Sequence, residues 1–271
     1  MIDFHCHLLP ALDDGACTVD ESIAMATRLV DFGFRTVCCT PHYIKGYYDN
    51  SRERVREATL MLQADLDQAG IALQLWPGME YMLDDCFAGY QGELRTLGAT
   101  RLVLCEAPQN ADPEIVAEGL RAVRARHLVP LLAHPERTPI LFQALAAGDQ
   151  LDRPAASPSP HGTLPESRGS GLKSLLNRFL PSSPLPTTTT TVRPDLPLEG
   201  VLFHANLGSF AGYYGPDVQR RAYQLLKADA YTALASDLHD AVSAPKILLR
   251  DKLGHNPLLA RLAAWSGGDF L

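Results

Sequence analysis

The sequence predicts an α/β fold in which seven parallel strands form a closed or nearly closed (β/α) barrel carrying one inserted loop. Three observations lead there. Short β-branched or apolar runs alternate with stretches whose apolar residues recur three and four apart, the spacing of a helix face. Six of the seven runs end in a His, Glu or Asp, as if converging on one mouth. The 271 residues allow one large α/β domain or two ordinary ones, and either can bury a core. An open doubly wound sheet is the alternative topology.

Each element has its own warrant. Ile2 to His5 is the first strand, followed by the polar turn Asp13-Asp14-Gly15 and a helix over Glu21 to Asp31 with Thr18 near its start. Thr36 to Thr40 is the second strand. Asp49 precedes a helix from Arg52 to Gln68, in which Val55, Ala58, Leu62 and Leu66 share one face and charge occupies the other. Asp65-Leu66-Asp67 lies within that helix and reads as solvated face. Leu73 to Trp76 and Leu102 to Cys105 are the third and fourth strands; Asp112 introduces the helix Pro113 to Arg126. Val129 to Ala133, the helix Pro139 to Ala147 after Thr138, Val201 to Ala205, the helix Pro216 to Lys227 and Ala233 to Ser236 complete the series. Alternation of this kind implies right-handed crossovers.

Residues 151–199 break the pattern. Nine prolines and the run Thr187 to Thr191 fall there, a composition that buries too little apolar surface to offset ordering entropy. The segment reads as a disordered insertion within a single domain spanning residues 1–271. Entering a strand, it lies on the face opposite the strand ends. Within it, Leu172, Leu175, Leu176 and Phe179 recur at helical spacing with Lys173 and Arg178 between them. They form either a short docking helix for a partner or an anionic membrane surface, or a transient helix.

Composition narrows the function. The 24 Lys and Arg against 31 Asp and Glu give a net charge of -7, which argues against a nucleic-acid partner. No apolar run approaches the roughly 20 residues of a membrane span, and the N-terminus lacks the form of a secretory signal. A cytoplasmic protein, not an integral membrane one, is expected. The six cysteines lack paired spacings and read as small thiols. None has an arginine six residues later, which excludes the thiolate mechanism of conventional tyrosine phosphatases.

The strand ends carry the chemistry: His5-Cys6-His7, Thr40-Pro41-His42, Gly78-Met79-Glu80, Cys105-Glu106, Ala133-His134-Pro135 and Ser236-Asp237-Leu238-His239, with Asp14 on the rim. Residues two apart on a strand face the same way, so His5 and His7 reach one ion, as do Asp237 and His239. Five imidazoles and four carboxylates exceed one metal's needs and suit two or three ions. Mixed N/O donors without thiolate favour Mn, Fe or Zn. Such ions hold a hydroxide nucleophile and offset charge on an attacked phosphate, so metal-assisted hydrolysis of a phosphate ester is the reaction class. Any one of these residues alone reads as a core histidine or a capping carboxylate; six strand ends together do not. His127, His161, His204 and His255 lack such a setting and are read as structural. Tyr43, Tyr47 and Tyr48, just after His42, either line a mouth that takes an aromatic ring or pack on the barrel.

H-x-H, D-D-G, T-P-H, G-x-E, a strand-ending Glu, A-H-P-E-R and S-D-x-H, in that order, resemble the PHP (polymerase and histidinol phosphatase) superfamily. MIDFHCHLLPALDDG with AHPER and ASDLH is similar to the bacterial manganese-dependent protein tyrosine phosphatases of capsule and exopolysaccharide synthesis. The resemblance implies a distorted seven-stranded barrel of PHP type and three ions, manganese before iron or zinc. His5, His7, Glu80 and Asp237 then hold one ion, Glu80, Glu106 and His134 a second, and Asp14, His42 and His239 the third. His42, Asp14 and Arg137 stand at the reacting phosphate, with Arg137 as its contact. Relatives carry another arginine after S-D-x-H; this chain offers Lys246 as a point charge in its place. The implied substrate is a phosphotyrosine protein, the tail of a bacterial tyrosine kinase that controls polysaccharide export. A phosphatase of a small monoester such as histidinol phosphate, and a metal-binding regulator or scaffold, are the competing functions.

Overall fold

Among the described residues nine strands form where seven are expected, and every pairing between them is parallel. The computed structural model describes residues 1–147, 196–265 and 267–270. The expected disordered insertion, its helix at 171–180 and His161 lie outside the described residues, except that 196–199 belong to the folded unit, with Leu196 buried.

Seven strands match expectation: β1 (Ile2–Cys6), β2 (Thr36–Cys39), β4 (Gln74–Pro77), β6 (Leu102–Glu106), β7 (Val129–Leu132), β8 (Leu202–Asn206) and β9 (Ala233–Ala235). The additional two are β3 (His42–Tyr43) and β5 (Glu80–Met82). Both arise where a strand is broken and then resumes. Thr40-Pro41 interrupts the second run, since proline has no N–H for a ladder, and Gly78-Met79 interrupts the third. The breaks divide the pairing into sheets of order β1-β2-β4 and β3-β5-β6-β7-β8-β9. The parallel sheet curls so that β9 comes beside β1, through a Cys6–Leu238 bridge and the bonds Asp237 N to His5 O (2.8 Å) and His7 N to Leu238 O (3.0 Å).

The helices are α1 (Val19–Phe32), α2 (Arg52–Gln68), α3 (Pro113–Arg124), α4 (Pro139–Ala147), α5 (Leu207–Ala211), α6 (Pro216–Lys227), α7 (Ala244–Ile247), α8 (Arg250–Gly254) and α9 (Pro257–Ala264). Thr18 caps α1 by accepting from Glu21 N, while the Glu21 carboxylate reaches back to Cys17 N, closing a reciprocal box. Ser51, not Asp49, caps α2; the Asp49 side chain accepts from Gly46 N and shapes the preceding turn. Helix α3 stops at Arg124, two residues short of expectation. The short helices α5, α7 and α8 escape the periodicity because four or five residues show no stripe; α9, eight residues long, is a further addition to the expected set. Met25 and Leu29 of α1, Leu62 and Leu66 of α2 and Leu120 of α3 bury the helices against the sheet. A second apolar set including Phe4, Leu104 and Leu131 is flanked by Trp265, whose ring lies 4.9 Å from Phe4. Among the described residues no helix is long and apolar enough to cross a membrane.

One buried carboxylate fastens the curl. Asp3 Oδ1 accepts from Ser236 N (2.9 Å), just past β9, and from His5 N (3.2 Å). Burial pushes its pKa up from 3.8 to about 6 against the pull of those donors. A carboxyl with a raised folded pKa contributes stability in full below 3.8, and that contribution is lost as pH rises through about 6. Asp3→Asn keeps a carbonyl acceptor and cannot ionise. Denaturant unfolding of the metal-free proteins should show the variant gaining about 1–3 kcal/mol on native protein between about pH 4 and about pH 8; a pH-independent difference would contradict this.

Candidate metal centre

The nine candidate ligands come together at one end of the sheet, near the C-terminal ends of β1, β6, β7 and β9 and just past the breaks that follow β2 and β4. His5 is within β1 and His7 just beyond it; His42 is on β3, Glu80 opens β5, and Glu106 closes β6. His134 and Asp237 each lie two residues past a strand, β7 and β9, with φ of +30° and +52°, a region that residues with a Cβ seldom adopt. Hydrogen bonds hold both turns: Arg137 N to His134 O at 2.9 Å, and Asp237 N to His5 O at 2.8 Å. Strain of this kind persists where its surroundings fix it, commonly at sites.

The distances are short. His5 Nε2 lies 2.9 Å from His7 Nε2, 3.0 Å from Glu80 Oε2 and 3.2 Å from Asp237 Oδ1. His42 Nδ1 is 3.1 Å from Glu80 Oε2, and His134 Nε2 is 3.7 Å from both Glu80 Oε1 and Glu106 Oε1. Asp14 Oδ1 stands 3.6 Å from His42 Nε2 and 3.7 Å from His239 Nε2. Among the described residues five sets place their ligand atoms within 4.8 Å of one another, and four are drawn from these candidates: His7-Asp14-His42-His239, His5-His134-Asp237, His5-His7-Glu80 and His42-Glu80-Glu106; the fifth is Asp84-Asp85-Cys86. The expected Asp14, His42 and His239 share a set, which His7 joins. Glu80 sits centrally, as a bridging ligand must.

The donors fit divalent cations. His7 Nδ1 is taken by Asp13 Oδ2 at 2.7 Å, which leaves the Nε2 lone pair facing the cluster. Among the described residues Glu80 Oε1 is buried without a hydrogen-bond donor. Bare oxygens and imidazole lone pairs pressed together in a dry interior are costly unless a positive charge lies among them. Protonation shows the same tension. Burial opposes charge on Glu80, but His5 and His42 hold its pKa well below normal; burial and the Glu80 charge push Glu106 well above. Burial works against a charged His7, yet Asp13 raises its pKa well above normal. Burial, with Arg137, takes His134 down to about 4. Thiols take no part: burial drives Cys6, Cys38, Cys39 and Cys105 up, away from the thiolate.

Arg137 reaches the same cluster, its Nη1 at 2.6 Å from Asp237 Oδ2 and its guanidinium 4.4 Å from the centre of the Tyr214 ring. Glu136, the plain alternative partner for Arg137, is instead buried and accepts from the Tyr231 hydroxyl at 2.8 Å. Lys246 is exposed on α7, and no hydrogen bond or ion pair joins it to the cluster.

Several members were not foreseen. Asp13 orients His7 and also accepts from His42 N at 2.9 Å; its pKa is about 2, lowered by His7 and backbone donors against the effect of burial. His204, expected to be structural, lies on β8 with Nε2 at 3.0 Å from His5 Nδ1. Asn206 Nδ2 and the Tyr214 hydroxyl join Arg137 on Asp237 Oδ2, at 2.8 and 3.3 Å. The signal for His204 and Asn206 was their place at the end of the sixth predicted strand.

A family model described as capsular polysaccharide synthesis, CpsB/CapC, matches residues 1–154. The chain belongs to this CpsB/CapC family. Tyrosine-protein phosphatase YwqE of Bacillus subtilis (strain 168) is 38% identical over 141 residues, 51% of this chain and 55% of that protein. Tyrosine-protein phosphatase CpsB of Streptococcus pneumoniae is 29% identical over 139 residues, 51% of this chain and 57% of that protein. The putative tyrosine-protein phosphatase CapC of Staphylococcus aureus is 26% identical over 147 residues, 54% and 58% of the two chains. The chain thus spans a little over half the length of the curated relatives it matches. The curled α/β fold as a whole is similar to a crystal structure from a study of YwqE and CpsB, described there as unique metal-dependent tyrosine phosphatases. The TM-score is 0.68 at 25% identity, covering 97% of this chain and 91% of that one. His204, Asp237 and His239 lie beyond the stretch that the CpsB/CapC model matches, and geometry alone joins them to it.

Because Asp13 fixes the tautomer of His7, Asp13→Asn should weaken metal binding about 10- to 100-fold. Elemental analysis after equilibration in chelator-buffered metal would measure this; wild-type affinity would remove Asp13 from the centre.

Proposed function

We propose that this chain is a metal-dependent protein tyrosine phosphatase acting in capsule or exopolysaccharide synthesis. The observation that carries the reading is the convergence of the nine ligand candidates on one cluster with the Arg137 guanidinium at its edge. The family match, and the names of YwqE, CpsB and CapC, support it. In the same reading β2 with β3, and β4 with β5, are single staves broken once, so that the nine strands make a distorted seven-stranded barrel of PHP type. The domain is one, with most of residues 151–199 inserted in it and the last four, 196–199, part of the fold. The substrate is a phosphotyrosine protein, the tail of a bacterial tyrosine kinase, met in the cytoplasm.

His5, His7, Glu80 and Asp237 would hold one ion, Glu80, Glu106 and His134 a second, and Asp14, His42 and His239 a third, manganese being the choice among metals suited to N/O donors. When bound, the ions supply an acidified water and positive charge against the phosphoryl oxygens. The protein's own groups do the rest. Arg137, anchored on Asp237 and stacked on Tyr214, keeps donors for two phosphoryl oxygens. Asp13 and His204 hold the rings of His7 and His5 through their far nitrogens. His42 and Asp14 stand at the open side, the Asp14 side chain being 54% exposed. A phenol of pKa about 10 leaves without a strong acid to protonate it, which favours an aryl over an alkyl ester.

Chelation should lower hydrolysis of a phosphotyrosine peptide by more than about 100-fold, equivalent to about 2.7 kcal/mol of barrier, and added Mn2+ should restore it. Glu80→Gln and His42→Ala should each lower activity about as far. Activity that survives chelation would sink the assignment.

A further inference from the structure

Two loops of identical sequence flank the metal cluster. Gly46-Tyr47-Tyr48 follows β3, and Gly212-Tyr213-Tyr214 lies between α5 and α6, after β8; three strands, β5, β6 and β7, separate β3 from β8 in the sheet. Their geometry is also shared. Each glycine has positive φ, +80° and +83°. Each tyrosine pair is edge-to-face, with ring centres 4.7 Å apart at 81° in one and 5.1 Å apart at 84° in the other. In each pair the second tyrosine lies on a residue of the site. Tyr48 stacks on the His42 ring at 9°, and Tyr214 lies against the Arg137 guanidinium with its hydroxyl on Asp237. In each the first tyrosine faces solvent, Tyr47 75% and Tyr213 45% exposed.

Neither loop is slack. Tyr48 N bonds Ile44 O at 2.8 Å and Gly46 N bonds Asp49 Oδ1 at 2.9 Å, while Gly208 leaves room for the Tyr214 ring, which a Cβ there would meet at 2.8 Å. Ordered turns thus hold two aromatic rings in water, contact area that a partner can use with little further loss of conformational entropy. Tyr43, adjacent in sequence, turns away and packs with Tyr81 and Tyr90. Between the inner tyrosines run His42, the partly exposed His239 and the buried Asp237.

We infer that the two Gly-Tyr-Tyr loops are the jaws of a clamp for an aromatic phosphoester within a peptide. Tyr48 and Tyr214 flank the ring that carries the phosphate, and Tyr47 and Tyr213 grip apolar or aromatic residues beside it. This rests on the phosphotyrosine reading above and adds the residues that select the ring and its flanks. A small alkyl phosphate would leave both outer rings unused.

The test uses the full chain loaded with Mn2+ and a peptide bearing phosphonomethyl-phenylalanine, which binds without being hydrolysed. Calorimetry should show the Tyr47→Ala/Tyr213→Ala double variant binding the peptide about tenfold more weakly, the scale of one lost aromatic contact on each side. The Tyr47→Phe/Tyr213→Phe variant should bind within about twofold of native protein, because the rings carry the contact. The ratio of kcat/KM for a phosphotyrosine peptide to that for free phosphotyrosine, which has no flanking residues, should fall about tenfold in the alanine variant. Unmoved affinity and ratio there would overturn the clamp while leaving the phosphatase standing. A native protein that neither binds the phosphonate peptide nor hydrolyses phosphotyrosine would overturn both.

Discussion

Lone pairs and negative charge at the strand ends must be held facing one another, and much of the surrounding structure exists to hold them. His5 Nε2 and His7 Nε2 stand 2.9 Å apart with carboxylate oxygens of Glu80 and Asp237 close by, an arrangement with little internal compensation. It persists because three of the four members are fixed from behind: His7 by Asp13, His5 by His204, and Asp237 by Asn206. Parallel strands bring the residues to one end, while the buried side chains behind them set the ring angles.

Asp237 joins the two halves of the chemistry. Its Oδ1 looks toward His5 and His7, and its Oδ2 takes Arg137, Asn206 and Tyr214. One carboxylate thereby sets the position of a ligand cluster and of a guanidinium together, so a shift in either is felt by the other. The left-handed backbone at Asp237 aims the side chain between them.

The sequence made the strand and long-helix positions legible because period and cap residues act locally: Thr18 and Asp112 cap where expected, and Arg52–Gln68, Pro139–Ala147 and Pro216–Lys227 keep their predicted bounds. The nine ligand candidates were legible because strand ends in a parallel sheet share a side. What escaped depended on contacts across the fold. The breaks at Thr40-Pro41 and Gly78-Met79 create β3 and β5 only because the resumed strands find new neighbours. Asp13 was passed over in favour of Asp14, since adjacent carboxylates in one turn look alike until the turn is folded; one then lies behind His7 and the other opens to solvent. His204 stands near the end of the sixth predicted strand, but its partner, His5, is far away in the chain and meets it only in the fold.

The pairing of β9 with β1 also orders events in time. Chains emerge from the ribosome N-terminus first, so His5, His7, Asp14, His42, Glu80, Glu106 and His134 are all made before Asp237 and His239. Until β9 arrives, β1 keeps an open edge, and the backbone bond that turns Asp237 inward has no donor. The centre is therefore completed by the last of the described strands to be synthesised, and a nascent or truncated chain carries an acidic, histidine-lined half-site without the residue that ties it to Arg137.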